Sequence, residues 1–263
     1  MVTIPAKVKD RLVTTIKRFQ PIVSKARDKD INESDTVTII VDILSEMLGY
    51  DKYTEITSEF AIKKTFCDLA LMLDNTPRVL IEVKAAGIDL KEQHIKQAVD
   101  YGSNSGVDWV VLTNAYTWKV YKVIFGKPVT TDLIYEFNLP DINTRKDQEL
   151  EFLYYLTKES IQKGSKAGLS DYVAQKQVLN RFVIGQMLLD ESVISAIRKN
   201  LKKMASESKA TNEEIAKILV EEVIKREVID GDKAAEAKKA VHKAKAAAER
   251  AAKKQTKAVQ EEE

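Results

Sequence analysis

Before about residue 147 the chain alternates helical stripes with short apolar runs; beyond it the pattern is helical throughout. Val8, Leu12, Ile16 and Phe19 recur at helical spacing and predict an amphipathic helix over 6–19, ending near Pro21. A second helix is predicted over 32–49, with Asn32 as N-cap, Gly49 just past the end, and Val37, Ile40, Val41, Leu44 and Leu48 facing a core. Residues 53–62 read as an extended lead-in. Two apolar runs follow, 66–73 and 79–85, joined by the turn formers Asn75, Thr76 and Pro77, which is the pattern of a buried hairpin. A helix is expected over 89–103, and two strands over 108–114 and 117–124 with Thr113, Asn114 and Ala115 turning between them. Residues 126–146, with Gly126, Pro128 and Pro140, read as a connection.

Further on, Phe152, Tyr155, Leu156 and Ile161 open the helical region, which continues over 172–187 and 193–204. Thr211 to Glu214 resembles a capping box before the stripe Ile215, Ile218, Leu219 and Val223. From Lys233 the sequence reduces to Ala, Lys and Glu, a composition that predicts a solvated helix or a disordered tail. The expected fold is α/β, a mixed sheet flanked by helices with an all-α region after it. The expected division is an α/β domain over 1–146, a helical region over 147–230 and a tail over 231–263.

Three charges interrupt the hairpin. Side chains alternate along a strand, which places Asp68 with Phe66, Ala70 and Met72, and Cys67 with Leu69 and Leu71 on the other face. Glu82 and Lys84 share a face with Leu80. A buried carboxylate is strongly disfavoured unless it is paired or binds a metal. Two carboxylates and a lysine converging from adjacent strands therefore predict a divalent-metal site beside a positive charge, with oxygen ligands suited to Mg²⁺.

Asp68, a short gap, then Glu82-Val83-Lys84 resembles the PD-(D/E)xK nuclease signature, with Cys67 where a proline normally stands. Gln97 to Tyr101 resembles the QxxxY motif of one branch of that superfamily. The stretch Trp109-Val110-Val111-Leu112-Thr113-Asn114, with Trp118 after it, is similar to the N-terminal domain of type I restriction enzyme R (HsdR) subunits. The resemblance covers roughly residues 30–125 and implies a restriction-endonuclease-like fold and a metal-dependent endonuclease acting on DNA. On that resemblance Asp68, Glu82 and the backbone carbonyl of Val83 hold Mg²⁺, with Mn²⁺ as a substitute. Lys84 serves the attacking water and the transition state, and Gln97 and Tyr101 support the site or the DNA backbone. Glu33, on the helix before the core strands, either completes the metal shell or only favours its own helix N-terminus. Glu46 and Glu59 are weaker candidates. Trp109 and Trp118 read as packing residues, and Asn114 as a turn residue.

Composition narrows the alternatives. A formal net charge of +2 gives little overall attraction to nucleic acid, so binding has to come from local patches. A single cysteine excludes an intrachain disulfide, and two histidines with one cysteine argue against a zinc site. With no membrane-length apolar run and no secretory apolar segment in the opening residues, a cytoplasmic location is expected. The chain contains no G-x-x-x-x-G-K-[ST] motif, hence no recognisable ATP-driven motor. Expected partners are DNA and other restriction-system subunits; the oligomeric state is left open, with a dimer as one form. Two further readings stand beside the endonuclease. One is a non-catalytic nucleic-acid- or protein-binding module on the same fold; the other makes the three charges a structural ion-pair cluster.

Overall fold

The structure is a computed structural model, and it describes residues 2–62, 65–96, 99, 106–163, 168–205 and 209–260. It divides into two compact units, Met1–Val173 and Ala174–Glu263.

The first unit is built on a six-stranded mixed sheet in sequential order: β1 Ile56–Ile62, β2 Thr65–Leu73, β3 Thr76–Val83, β4 Trp109–Thr113, β5 Thr117–Ile124 and β6 Thr130–Asn138. The β3/β4 pair is parallel and the other neighbours are antiparallel. A parallel pair needs a crossover, and residues 84–108 supply it. This is the restriction-endonuclease-like α/β architecture expected of the chain. Helix α1 (Ala6–Asp28) and helix α2 (Glu33–Asp42, carried on by a π-helical turn to Met47) line one face with Leu12, Ile16, Phe19, Ile40, Leu44 and Leu48. Leu69, Leu71, Val79, Ile81, Val83 and Val111 meet them from the sheet. The opposite face carries Ala70, Leu80, Val110, Leu112 and Tyr121, covered in part by Leu90, Ile95 and Val99 from the crossover.

Several expectations shift in register. Helix α1 runs through Pro21, because Phe19, Val23 and Ala26 continue its buried stripe while Pro21 stays on the exposed side. The β2–β3 turn is Asp74-Asn75, both at positive φ (51° and 56°), leaving Thr76 and Pro77 inside β3. That is the backbone of a tight primed turn, which Asp and Asn tolerate. Strand β6 lies in the stretch expected to be a connection. Its burial is confined to Ile134, Tyr135 and Phe137, so the polar Thr130, Thr131, Asp132 and Glu136 mask the strand signal.

The unit boundary falls at 173/174, not at the expected 146/147. Helix α3 (Asp147–Tyr154) and the residues after it bury Leu150, Leu153, Tyr154, Tyr155 and Leu156 in the core of the first unit. Tyr135 stacks on Phe152 at 5.3 Å, and its hydroxyl donates to the Phe152 carbonyl. A short helix, α4 (Lys158–Gln162), follows; α5 (Leu169–Val178) runs across the division.

The second unit contains α6 (Arg181–Leu188), α7 (Glu191–Met204), α8 (Asn212–Ile218, extended by a π-helical turn to Val223), α9 (Arg226–Ile229) and α10 (Asp232–Gln260). Ile194, Ile215 and Leu219 form a small core, and Thr211 and Glu214 make the expected capping box. Gly185 lets α9 approach α6: a Cβ there would lie 2.6 Å from Val228 Cγ1. The tail takes the helical one of its two expected forms over its described residues. It is helical from Asp232 to Gln260, with Ala234 and Ala237 buried and Lys245 paired to Asp190 at 2.9 Å. Alanine's small side chain permits close helix packing, which a scale of apolar bulk does not register.

Candidate active site

Asp68 and Glu82 meet because of the β2/β3 register. The antiparallel ladder pairs Ala70 with Leu80 and Leu69 with Ile81, so one step further Asp68 stands opposite Glu82. Cross-strand neighbours of this kind have Cβ atoms only about 5 Å apart. At this point a side chain replaces a ladder bond: the Val83 backbone N–H donates to Asp68 Oδ2 at 2.7 Å. Beyond it, the Lys84 N–H donates to the Thr113 carbonyl at 2.9 Å, continuing the parallel contact with β4. Glu82 and Lys84 therefore stand at the C-terminal end of β3, with Asp68 across from them on β2.

Lys84 Nζ donates to Glu82 Oε1 at 2.8 Å and lies 3.5 Å from Glu33 Oε2. The Glu82 side chain is only 6% exposed, against 50% for Glu33. Glu82 Oε2 is buried and has no hydrogen-bond partner among the described residues. Burial pushes the Glu82 carboxyl above its ordinary range; the Lys84 hydrogen bond opposes this and the Asp68 charge adds to it. Asp68 is likewise raised, by burial first, against the Val83 N–H and the Lys84 charge. For Lys84, burial favours the neutral form, but the Glu82 hydrogen bond and the surrounding carboxylates prevail and raise its pKa. Lys84 is thus a cation at neutral pH. The buried Cys67 thiol is pushed up to about 12, by burial and then by Glu82 and Asp68.

Of the expected residues, Asp68, Glu82, Val83 and Lys84 come together, and Glu33 reaches the group through Lys84. Glu33 is the first residue of α2, where Asn32 accepts from the Asp35 N–H as the cap. Glu46 is engaged elsewhere, in an ion pair with Arg18. Glu59 falls across the ladder from Asp68, between the Ser58–Leu69 and Phe60–Cys67 pairs, with a positive φ of 49° that marks local backbone strain. Next to it, Cys67 packs with Ala70 and Leu80 rather than with Leu69 and Leu71, so strict alternation fails at the irregular end of the strand. Gln97 and Tyr101 lie outside the described residues.

Sequence reasoning overlooked what holds the chain after Lys84. Asn114 is a turn residue as expected, accepting from the Thr117 N–H, but its Nδ2 also donates to the Ile88 carbonyl at 2.8 Å. The Ala86 N–H donates to the Ile31 carbonyl, tying the same loop to the start of α2. Gly87 is pressed on Asp30: a Cβ there would lie 2.0 Å from Asp30 Oδ1. The buried Asn114, in a T-N pair at a strand end, was the available signal. Trp118 is buried and donates from Nε1 to the Ala115 carbonyl, a packing role as expected.

Among the described residues no group of three or more His, Cys, Asp or Glu side chains is close enough to hold a metal by itself. The fit to a cation rests on Asp68 and Glu82 alone. It is supported by the orphaned Glu82 Oε2 and by Asp68 Oδ1, to which no described residue donates.

The mixed sheet thus gathers two carboxylates and a lysine at its strand ends. The family model "Type I restriction enzyme R protein N terminus (HSDR_N)" matches residues 33–134. That segment, which is similar to the N-terminal region of type I restriction enzyme R proteins, spans the sheet from the start of α2 into β6. Comparison with curated proteins and with solved structures gave no match. Among the described residues no helix is long and apolar enough to cross a membrane.

Proposed function

We propose that the 33–134 domain is a divalent-metal-dependent endonuclease that hydrolyses DNA phosphodiester bonds within a restriction system. The observation that carries this reading is the buried, partnerless Glu82 Oε2 beside Asp68, with Lys84 at hydrogen-bond distance. A polar atom buried without a partner costs about 1–3 kcal/mol, and a cation held between the two carboxylates would remove that cost. Asp68, Glu82 and the Val83 carbonyl would hold Mg²⁺ or Mn²⁺. When bound, such an ion supplies activation of water and charge stabilisation at a phosphate.

The chain's own residues do the rest. Asp68 is held by the Val83 N–H, so its carboxylate is oriented before any ligand arrives. Lys84, protonated at neutral pH, is an electrostatic partner for the phosphate or an orienting donor to water, and not a general base. Glu33 positions Lys84 from the start of α2. Gln97 and Tyr101 are assigned, by resemblance, to the DNA backbone or to the support of the site. DNA and further restriction-system subunits are the proposed partners.

Incubating plasmid DNA with the protein, with and without Mg²⁺, tests the reading against Asp68→Ala. Nicking or linearisation by the wild type that needs Mg²⁺ and disappears in the variant is expected. Equal cleavage by both would place the chemistry elsewhere; no cleavage by the wild type under any divalent ion would favour a binding module on the same fold.

A further inference from the structure

Helix α10 has two chemically distinct sides. Ala234 and Ala237 are buried and Val241 is half-buried. Lys239, Lys243 and Arg250 are exposed. At 3.6 residues per turn these three cations fall within about 40° of arc, opposite the buried alanines. None of them forms an ion pair among the described residues. Lys245, by contrast, sits to one side and is tied to Asp190 at 2.9 Å. From 239 to 257 the sequence holds seven cations and one acid, Glu249, and the spacing of the exposed three continues in sequence with Lys254 and Lys257.

We propose that this helix is a second nucleic-acid-binding element, which grips the phosphate backbone of duplex DNA without reading sequence. The length suits it: 18 residues at 1.5 Å each give about 27 Å, roughly eight base-pair steps of 3.4 Å. The whole chain carries only +2, so a localised row of cations is where phosphate affinity would reside. A membrane surface fits less well, since an interfacial helix buries Trp, Phe or Leu in the lipid and α10 has none. A protein partner would need apolar or aromatic anchors, which the exposed side also lacks.

The element is independent of the proposed cleavage site, and its test is run without metal so that the two readings fail separately. A fluorescent duplex of arbitrary sequence is titrated with the full chain in EDTA at 50–200 mM salt. The wild type is compared with the Lys239→Gln, Lys243→Gln, Arg250→Gln triple variant. Each lost phosphate contact removes roughly 0.9 from the slope of log K against log salt, so the slope should become shallower by about 2–3 and the affinity at low salt should fall at least tenfold. Unchanged affinity and slope would overturn the proposal, as would wild-type binding to anionic phosphatidylserine vesicles with none to the duplex. Should the triple variant lose its melting transition, the charge-retaining Lys239→Arg, Lys243→Arg, Arg250→Lys variant decides. Wild-type affinity and slope are then expected, and loss of binding with the fold intact would contradict a purely electrostatic grip.

Discussion

Asp68 accepts a hydrogen bond from the backbone N–H of Val83, at 2.7 Å, at the point where the β2/β3 ladder stops pairing main chain to main chain. This one bond satisfies a buried donor and orients the Asp68 carboxylate where the ladder register sets it opposite Glu82. Removing the acceptor should cost the free energy of an unsatisfied buried N–H, about 1–3 kcal/mol. Asp68→Ala is therefore expected to be less stable than Asp68→Asn, which keeps an acceptor, by about that amount in urea melts at neutral pH. Equal midpoints for the two variants would mean that the bond carries no stability.

Glu82 gives a pH-dependent prediction. Its folded pKa lies above the ordinary 4.5, with burial the leading cause. A raised folded pKa contributes stability that is present below the unfolded value and is lost as pH rises through the folded one. In the metal-free protein at neutral pH the ionised Glu82 is therefore a net liability. Glu82→Gln, which mimics the neutral carboxyl, should raise the melting temperature at pH 7, and the advantage should vanish as pH falls below about 4.5. A destabilised Gln variant at pH 7 would show that the Lys84 pairing outweighs the burial.

Lys84 separates chemistry from architecture. In Lys84→Ala, Glu82 and Glu33 lose their shared cation, so the metal-free fold should weaken moderately. Under the proposed function the variant should still bind Mn²⁺ and DNA while cleavage falls by at least a hundredfold. Retained cleavage in the folded fraction, accompanied by a lower melting temperature, would make Lys84 a structural ion-pair partner.

Cys67 should be inert while the protein is folded. Its thiol is fully buried and pushed up to about 12, and the thiolate is the reactive form. Iodoacetamide at pH 8 should modify it only in denaturant. Rapid labelling of the native protein would show that the end of β2 opens readily.

Much of this arrangement was readable in the amino-acid order. The hairpin, β4 and β5, the Asn32 cap and the convergence of Asp68, Glu82 and Lys84 follow from two-residue alternation, cap chemistry and the cost of burying charge. Strand β6 was hidden because only Ile134, Tyr135 and Phe137 of its nine residues are buried. The packing of α10 was hidden because alanines carry it. The boundary at 173/174 depends on which surface Leu150 and Tyr154 meet, a tertiary fact that helical periodicity does not encode. The clamp from Asn114 to Ile88 joins residues 26 apart in sequence and has no local signature.

The central claim is that Asp68 and Glu82 share a divalent cation, and calorimetric titration of Mn²⁺ into the metal-free protein tests it most directly. Wild-type protein should bind one ion per chain. Asp68→Asn and Glu82→Gln, both folded by circular dichroism, should each lose that binding. Isotherms indistinguishable among the three proteins would contradict the account.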